Sequence, residues 1–195
     1  MMKNADELLE VPEEYIDRMI GNYNPVVIIT TNNAQGQTNA APFAMCMEVC
    51  HKPPLLAFGV GKGKDTYQNV KRHGEFVVNV PGKEILKNLM ITAKHYPPEV
   101  NELVEAGLHE LPGKKVTVAR VKECKLHFEC VVEWIKEAGD HFIVLGKVVS
   151  VSGHKTVITD DFRLKVEELK PVHYLGKGTN TFLEVGASIK MKTLK

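Results

Sequence analysis

The hexapeptide Gly61-Lys62-Gly63-Lys64-Asp65-Thr66 holds the residue types an anion site needs. Its glycines let backbone approach a ligand closely. Its lysines supply positive charge, and Thr66 adds a hydroxyl. The residues that follow read as a helix, so the loop would end at a helix N-terminus, whose free amides and dipole favour an anion. The chemistry implied is phosphate binding. The spacing matches neither Gly-x-x-x-x-Gly-Lys-Ser/Thr nor Gly-x-Gly-x-x-Gly. A solvated hairpin loop leading into a capped helix accounts for the same residues, and both readings stay open. A second candidate is Thr38-Asn39-Ala40-Ala41-Pro42-Phe43-Ala44-Met45. Its small residues would leave backbone open to a flat ligand, and Pro42 would interrupt sheet pairing. A kinked strand is the plainer reading of these residues alone.

Other chemistries find less support. Only Ser150, Ser152 and Ser188 are available as serine nucleophiles, and none sits in Gly-x-Ser-x-Gly. The eight histidines include no His-x-x-x-His pair. His127 reads as solvated, while His154 and His173 fall near strand ends, where sites are common. Cys46 and Cys50 are spaced Cys-x-x-x-Cys beside His51, but a second ligand pair with zinc-like spacing is missing. The four cysteines therefore read as buried small hydrophobes, and no metal ligand and no catalytic side chain is assigned.

The elements that must position these residues read as mainly β. Residues 12–21 suggest a short helix, with Pro12 at its start and Gly21 as its stop. The β-branched run at residues 25–31 predicts a strand buried on both faces. Residues 32–36 have turn composition, and residues 38–47 return as an irregular or edge strand. Residues 55–60 and 75–80 are further strands. Between them a short helix would open on a capping box of Asp65 and Gln68 and close at His73-Gly74. Residues 82–107 look mostly helical, broken at Pro97-Pro98. Period-two alternation over residues 123–135 puts Cys124, Leu126, Phe128, Cys130, Val132 and Trp134 on one face. Lys125, His127, Glu129 and Glu133 fall on the other, polar face. A turn at residues 137–140 and an apolar strand at residues 141–151 complete a long hairpin. Strands joined by only short helices predict an antiparallel, Greek-key-like barrel with peripheral helices rather than a doubly wound sheet.

Composition bounds the function classes. Lys and Arg number 25 against 24 Asp and Glu in 195 residues. That balance gives no global attraction to nucleic acid or anionic membrane. No apolar run approaches the roughly 20 residues of a membrane helix, and residues 1–10 lack a signal core, so a cytoplasmic protein is expected. The length fits one domain over residues 1–195, with a helical lead-in at 1–21 and a C-terminal extension at 171–195.

Several short motifs, in order, resemble the flavin reductase-like, FMN-binding split-barrel family, with the flavoredoxin and ferric-reductase branch most similar. They are Asn24-Pro25-Val26-Val27-Ile28-Ile29-Thr30-Thr31, Asn39-Ala40-Ala41-Pro42, Lys52-Pro53-Pro54, Lys64-Asp65-Thr66, Asn69 and Glu75-Phe76-Val77-Val78-Asn79. Gly139-Asp140-His141-Phe142-Ile143-Val144-Leu145-Gly146 is similar to that family's later strand pair, and Pro171-Val172-His173-Tyr174-Leu175-Gly176 to its C-terminal segment. The resemblance implies a split β-barrel and a homodimer with FMN near the subunit interface. It implies that Asn39, Ala40, Ala41, Pro42, Phe43, Ala44 and Met45 line the flavin ring. Lys62, Lys64, Asp65, Thr66 and Asn69 would face the phosphate end, and His173 is a further candidate. Many relatives carry Ser where this chain has Ala44. The implied function is an oxidoreductase passing electrons from NADH or NADPH through bound FMN to a flavin, ferric or protein acceptor. The alternative is a non-enzymatic FMN electron carrier reduced by a partner protein.

Overall fold

The computed structural model describes residues 9–20, 24–175 and 181–186. A 3-10 turn at Glu13–Tyr15 leads into helix α1, Ile16–Met19. Together these turns cover residues 13–19 of the helix expected over residues 12–21, the first of them 3-10 rather than α. The expected stop at Gly21 lies outside the described residues.

The strands follow as β1 (Asn24–Pro25), β2 (Val27–Asn32), β3 (Thr38–Phe43), β4 (Cys46–Cys50) and β5 (Leu55–Gly61). Helix α2 (Asp65–His73) then leads to β6 (Glu75–Val80). Helices α3 (Leu86–Thr92) and α4 (Glu102–Glu105) come next, so residues 82–107 are less helical than expected. Short strands β7 (Glu110–Leu111) and β8 (Arg120–Val121) precede the long hairpin of β9 (Leu126–Ala138) and β10 (His141–Gly153). Helix α5 (Val166–Leu169), β11 (Val172–Tyr174) and β12 (Phe182–Glu184) complete the described chain.

Seven antiparallel strands form one sheet in the order β3-β2-β6-β9-β10-β5-β4. Its two edges, β3 and β4, are joined in sequence by only Ala44 and Met45. A two-residue link cannot span an open seven-stranded sheet, since neighbouring strands lie about 4.8 Å apart. The sheet must therefore curl until its edges meet at this corner, which makes a split barrel. Val27, Ile29, Phe58, Val60, Phe76, Val78, Cys130 and Val144 fill the interior. Val26, Ile28 and Ala40 pack outward under Leu89 and Leu103 of α3 and α4. The run around β2 is thus buried on both faces, as its lack of alternation predicts.

Two local expectations are corrected. Lys64, not Asp65, is the N-cap of α2, and no side chain caps it. Asp65 is the first helical residue, where its charge suits the helix dipole. Gly74 does close the helix, at φ 68°. The polar face of β9 is not solvated in its first half. His127 and Glu129 are both buried. The Glu129 carboxylate accepts from the amides of Lys114, Lys115 and Val116 and lies 3.6 Å from Arg120 Nε. Residues 112–121 cover this face, a long-range contact that alternation cannot report.

Candidate functional site

The barrel corner is also where a cleft opens. About 400 Å³ of space lies between Asn39, Ala41, Pro42, Phe43, Ala44 and Met45 on one wall and Lys64, Asp65 and Thr66 on another. Gly59 and Gly61 of β5 form part of its surface, with His141 beside them. The third wall comes from the end of α3 and the following loop, at Thr92, Ala93, Lys94, His95 and Tyr96, and from Glu102 of α4. The size suits a small-molecule ligand.

Each wall has a local reason for its shape. Among the described residues β3 is an edge strand, paired with β2 alone. The Ala40 amide points away from β2, since it donates to Glu102 Oε2 at 2.8 Å. Backbone groups two residues along a strand point the same way, so the donor that Pro42 lacks is also on the free side. Pro42 therefore breaks no ladder bond, and its carbonyl stays on the open edge. A Cβ built on Gly59 would lie 3.4 Å from the Met45 side chain, and one on Gly61 would lie 3.6 Å from Lys64 Cγ. Glycine keeps both places low. Gly63 takes φ 78°, the left-handed turn that brings the chain into α2.

Beneath the cleft runs a chain of buried hydrogen bonds. Asn69 Nδ2 donates to Thr31 Oγ1 at 3.1 Å, and Thr31 donates on to Asn39 Oδ1 at 3.2 Å. Thr66 Oγ1 donates to the same Asn39 oxygen at 3.3 Å. Asn39 Nδ2 then donates to Glu102 Oε1 at 2.6 Å. Burial pushes the Glu102 carboxyl above its ordinary range, and the charge of Asp65 pushes it the same way, against the hydrogen bonds from Ala40 and Asn39.

The residues singled out from sequence divide into three places. Asn39, Ala41, Pro42, Phe43, Ala44, Met45, Lys64, Asp65 and Thr66 share the cleft. Ala40 and Asn69 lie buried behind its wall. Lys62 and His173 are not among the lining residues. Lys62 pairs instead with Glu137, its ammonium 5.9 Å from the centre of the Phe142 ring. His173 stands on β11 in register with Pro25. Glu102 was not anticipated; the one signal for it was Asn101, whose side chain caps α4 by accepting from the Leu103 amide.

The cysteines sit elsewhere. Burial pushes the Cys46 thiol up to about 12 and those of Cys124 and Cys130 higher still. Among the described residues no cluster of His, Cys, Asp or Glu gathers that could hold a metal ion. No helix among them is long and apolar enough to cross a membrane.

Comparison with known proteins agrees with this architecture. An uncharacterized protein of Aquifex aeolicus is 32% identical over 157 residues, 78% of this chain and 80% of that one. The crystal structure of nitrilotriacetate monooxygenase component B from Bacillus cereus superposes with a TM-score of 0.83 at 25% identity, covering 98% of both chains. Flavoredoxin of Desulfovibrio vulgaris shares the fold at a TM-score of 0.80 and 18% identity, covering 97% of both chains. Residues 19–171 match the family described as flavin reductase like domain, and the chain belongs to that family.

Proposed function

We propose that the protein binds FMN in this cleft and acts as a flavin reductase-like oxidoreductase. Electrons would pass from NADH or NADPH to a flavin, ferric or protein acceptor. The observation that carries the reading is that the open, small-residue edge of β3 and the cationic start of α2 line one cleft. A mononucleotide needs both, a flat apolar wall and an anion site a few ångströms away. The residues present fit it. Thr66 stands in the first turn of α2 and Lys64 at its N-cap, where a phosphate is favoured. Ala41 and Ala44 have side chains too small to shield the strand edge from a ring.

When bound, the flavin supplies the electron chemistry. The chain's own part is to bind, orient and exclude water. Pro42 and Phe43 would support the ring, with Phe43 held by its edge contact to Phe58 at 5.3 Å between ring centres. Lys64 would balance phosphate charge. No side chain is needed as acid or base.

The working unit we propose is a homodimer. An apolar row with shorter apolar stretches on either side crosses the outer face of β4, β5, β10 and β9, interrupted by Lys136 on β9 in one flanking row and by Lys147 on β10 in the other. Met47, Ala57, Leu145 and Trp134 are register partners in the apolar row, with Ala57 and Leu145 buried at its centre. Met45, Gly59 and Ile143 lie in the next, and Val49, Leu55 and Val131 mark the third. Met47 is 65% exposed and Trp134 is 37% exposed. Met45 belongs both to this face and to the cleft, so a second copy seated here would help close the site.

The test is anaerobic titration of FMN-loaded protein with NADH and then NADPH, following the flavin absorbance. Bleaching by either supports the reductase. Bound flavin that neither nucleotide reduces points to an electron carrier, and a chain that takes up no FMN overturns the reading.

A further inference from the structure

We infer that Glu102 is the positioning residue of the cleft, its carboxylate holding the Asn39 amide and the Ala40 backbone in the geometry that receives the flavin. The inference rests on the flavin reading above. Its ground is the geometry of one buried side chain. Glu102 is 8% exposed, lines the cleft, and belongs to neither the strand edge nor the anion loop. Its two oxygens are divided between two donors, Asn39 Nδ2 at 2.6 Å and the Ala40 amide at 2.8 Å.

That division does two things. An isolated Asn side chain can present either end of its amide. Here an acceptor-only carboxylate on one side selects Nδ2, and the hydroxyls of Thr31 and Thr66 meet Oδ1 on the other. Glu102 thereby fixes the hydroxyl of Thr66, which stands at the anion end, through one intervening side chain. It also pins an edge strand that, among the described residues, has no neighbouring strand on that side, close to Ala41 and Pro42. One carboxylate thus sets both the ring wall and the phosphate end.

No other charged group can take its place. Of the ionisable residues lining the cleft, Lys64 and Asp65 come from the start of α2, Lys94, His95 and Tyr96 from the loop after α3, and His141 from β10. Among the described residues, none of these hydrogen-bonds to the Asn39 side chain or the Ala40 amide, whose partners are Thr31, Thr66 and Glu102. Gln at position 102 keeps the shape but offers one oxygen to two donors, and its amide would face one of them.

The test is a double-mutant cycle on FMN affinity with Glu102→Gln, Asn39→Ala and the pair, alongside amide NMR of the ligand-free protein. The Ala40 amide proton should move with pH in the wild type as Glu102 titrates, and should stay still in Glu102→Gln. Each single variant should weaken FMN binding about tenfold, the worth of a hydrogen bond to a charged group. The double variant should be no weaker than the worse single one, because both remove one linkage. Glu102→Asp should restore part of the affinity. Wild-type FMN binding with unchanged affinity in Glu102→Gln overturns the inference alone, as does an additive double variant. A wild type whose Ala40 amide titrates but which binds no FMN overturns the flavin reading and the inference with it.

Discussion

Lys62 and Lys64 are two residues apart in a basic loop, yet they face different partners. Lys62 is drawn to Glu137 and the Phe142 ring, while Lys64 lines the cleft at the N-cap of α2. The phosphate argument therefore falls on Lys64. Replacing Lys64 by Ala should weaken FMN binding by about 1 kcal/mol, the lower range for a charge-assisted bond at an exposed site. Lys62→Ala should change it far less. Fluorescence titration of the two variants, at low and high salt, separates them. His127 makes a second prediction at this scale. Burial, with the nearby Arg120 charge, lowers it from 6.5 to about 4. The folded protein thus holds it neutral where the unfolded chain takes up a proton. Stability present above about pH 6.5 should be lost as pH falls toward 4, by about 3 kcal/mol. Denaturant melts from pH 7 to 4 should show the slope, and His127→Gln should flatten it.

Among the elements, β9 does the most to organise the molecule. It joins β6 to β10 and carries both a barrel face and a buried polar face. Glu129 uses that second face to hold residues 114–116, and Arg120 is held in turn by the Pro112 carbonyl at 2.6 Å and Ser152 Oγ at 2.8 Å. Removing one partner of a buried pair leaves the other charged and unpaired. Glu129→Ala should therefore destabilise the fold by about 3–5 kcal/mol in urea melts, with amide exchange rising first in residues 112–121.

At the scale of the whole molecule, the rows over β4, β5, β10 and β9, with Met47 and Trp134 exposed in the middle one, adjoin the cleft through Met45 and Gly59. A charge placed in the middle row should separate two copies if they meet there, since a buried unpaired charge is strongly disfavoured. Light scattering should find the wild type as a dimer and Met47→Glu with Trp134→Glu as a monomer. FMN affinity should fall together with dimerisation, because the shared wall would be lost.

Much of this molecule could be read along the chain. Alternation marked the β9–β10 hairpin, although a register shift between Val132 and Trp134 turns Trp134 away from the face of Cys130 and Val132 on which alternation placed it. β-branched composition marked the doubly buried β2, and Pro42 marked an edge, because these signals depend on a strand's own neighbours and faces. The glycine-lysine loop could be read as a candidate anion site, and a plain solvated loop read equally well. What lay out of reach depends on residues far apart in sequence. Glu102 meets Asn39 across 63 positions, Glu129 meets residues 114–116 only after the chain folds back, and Lys62 turns to Glu137 across 75 positions. Residue type and local period carry no record of such meetings. Closure of the sheet at Ala44 and Met45 decides the first of them, since it brings the strand edge, the start of α2 and α4 around one cleft.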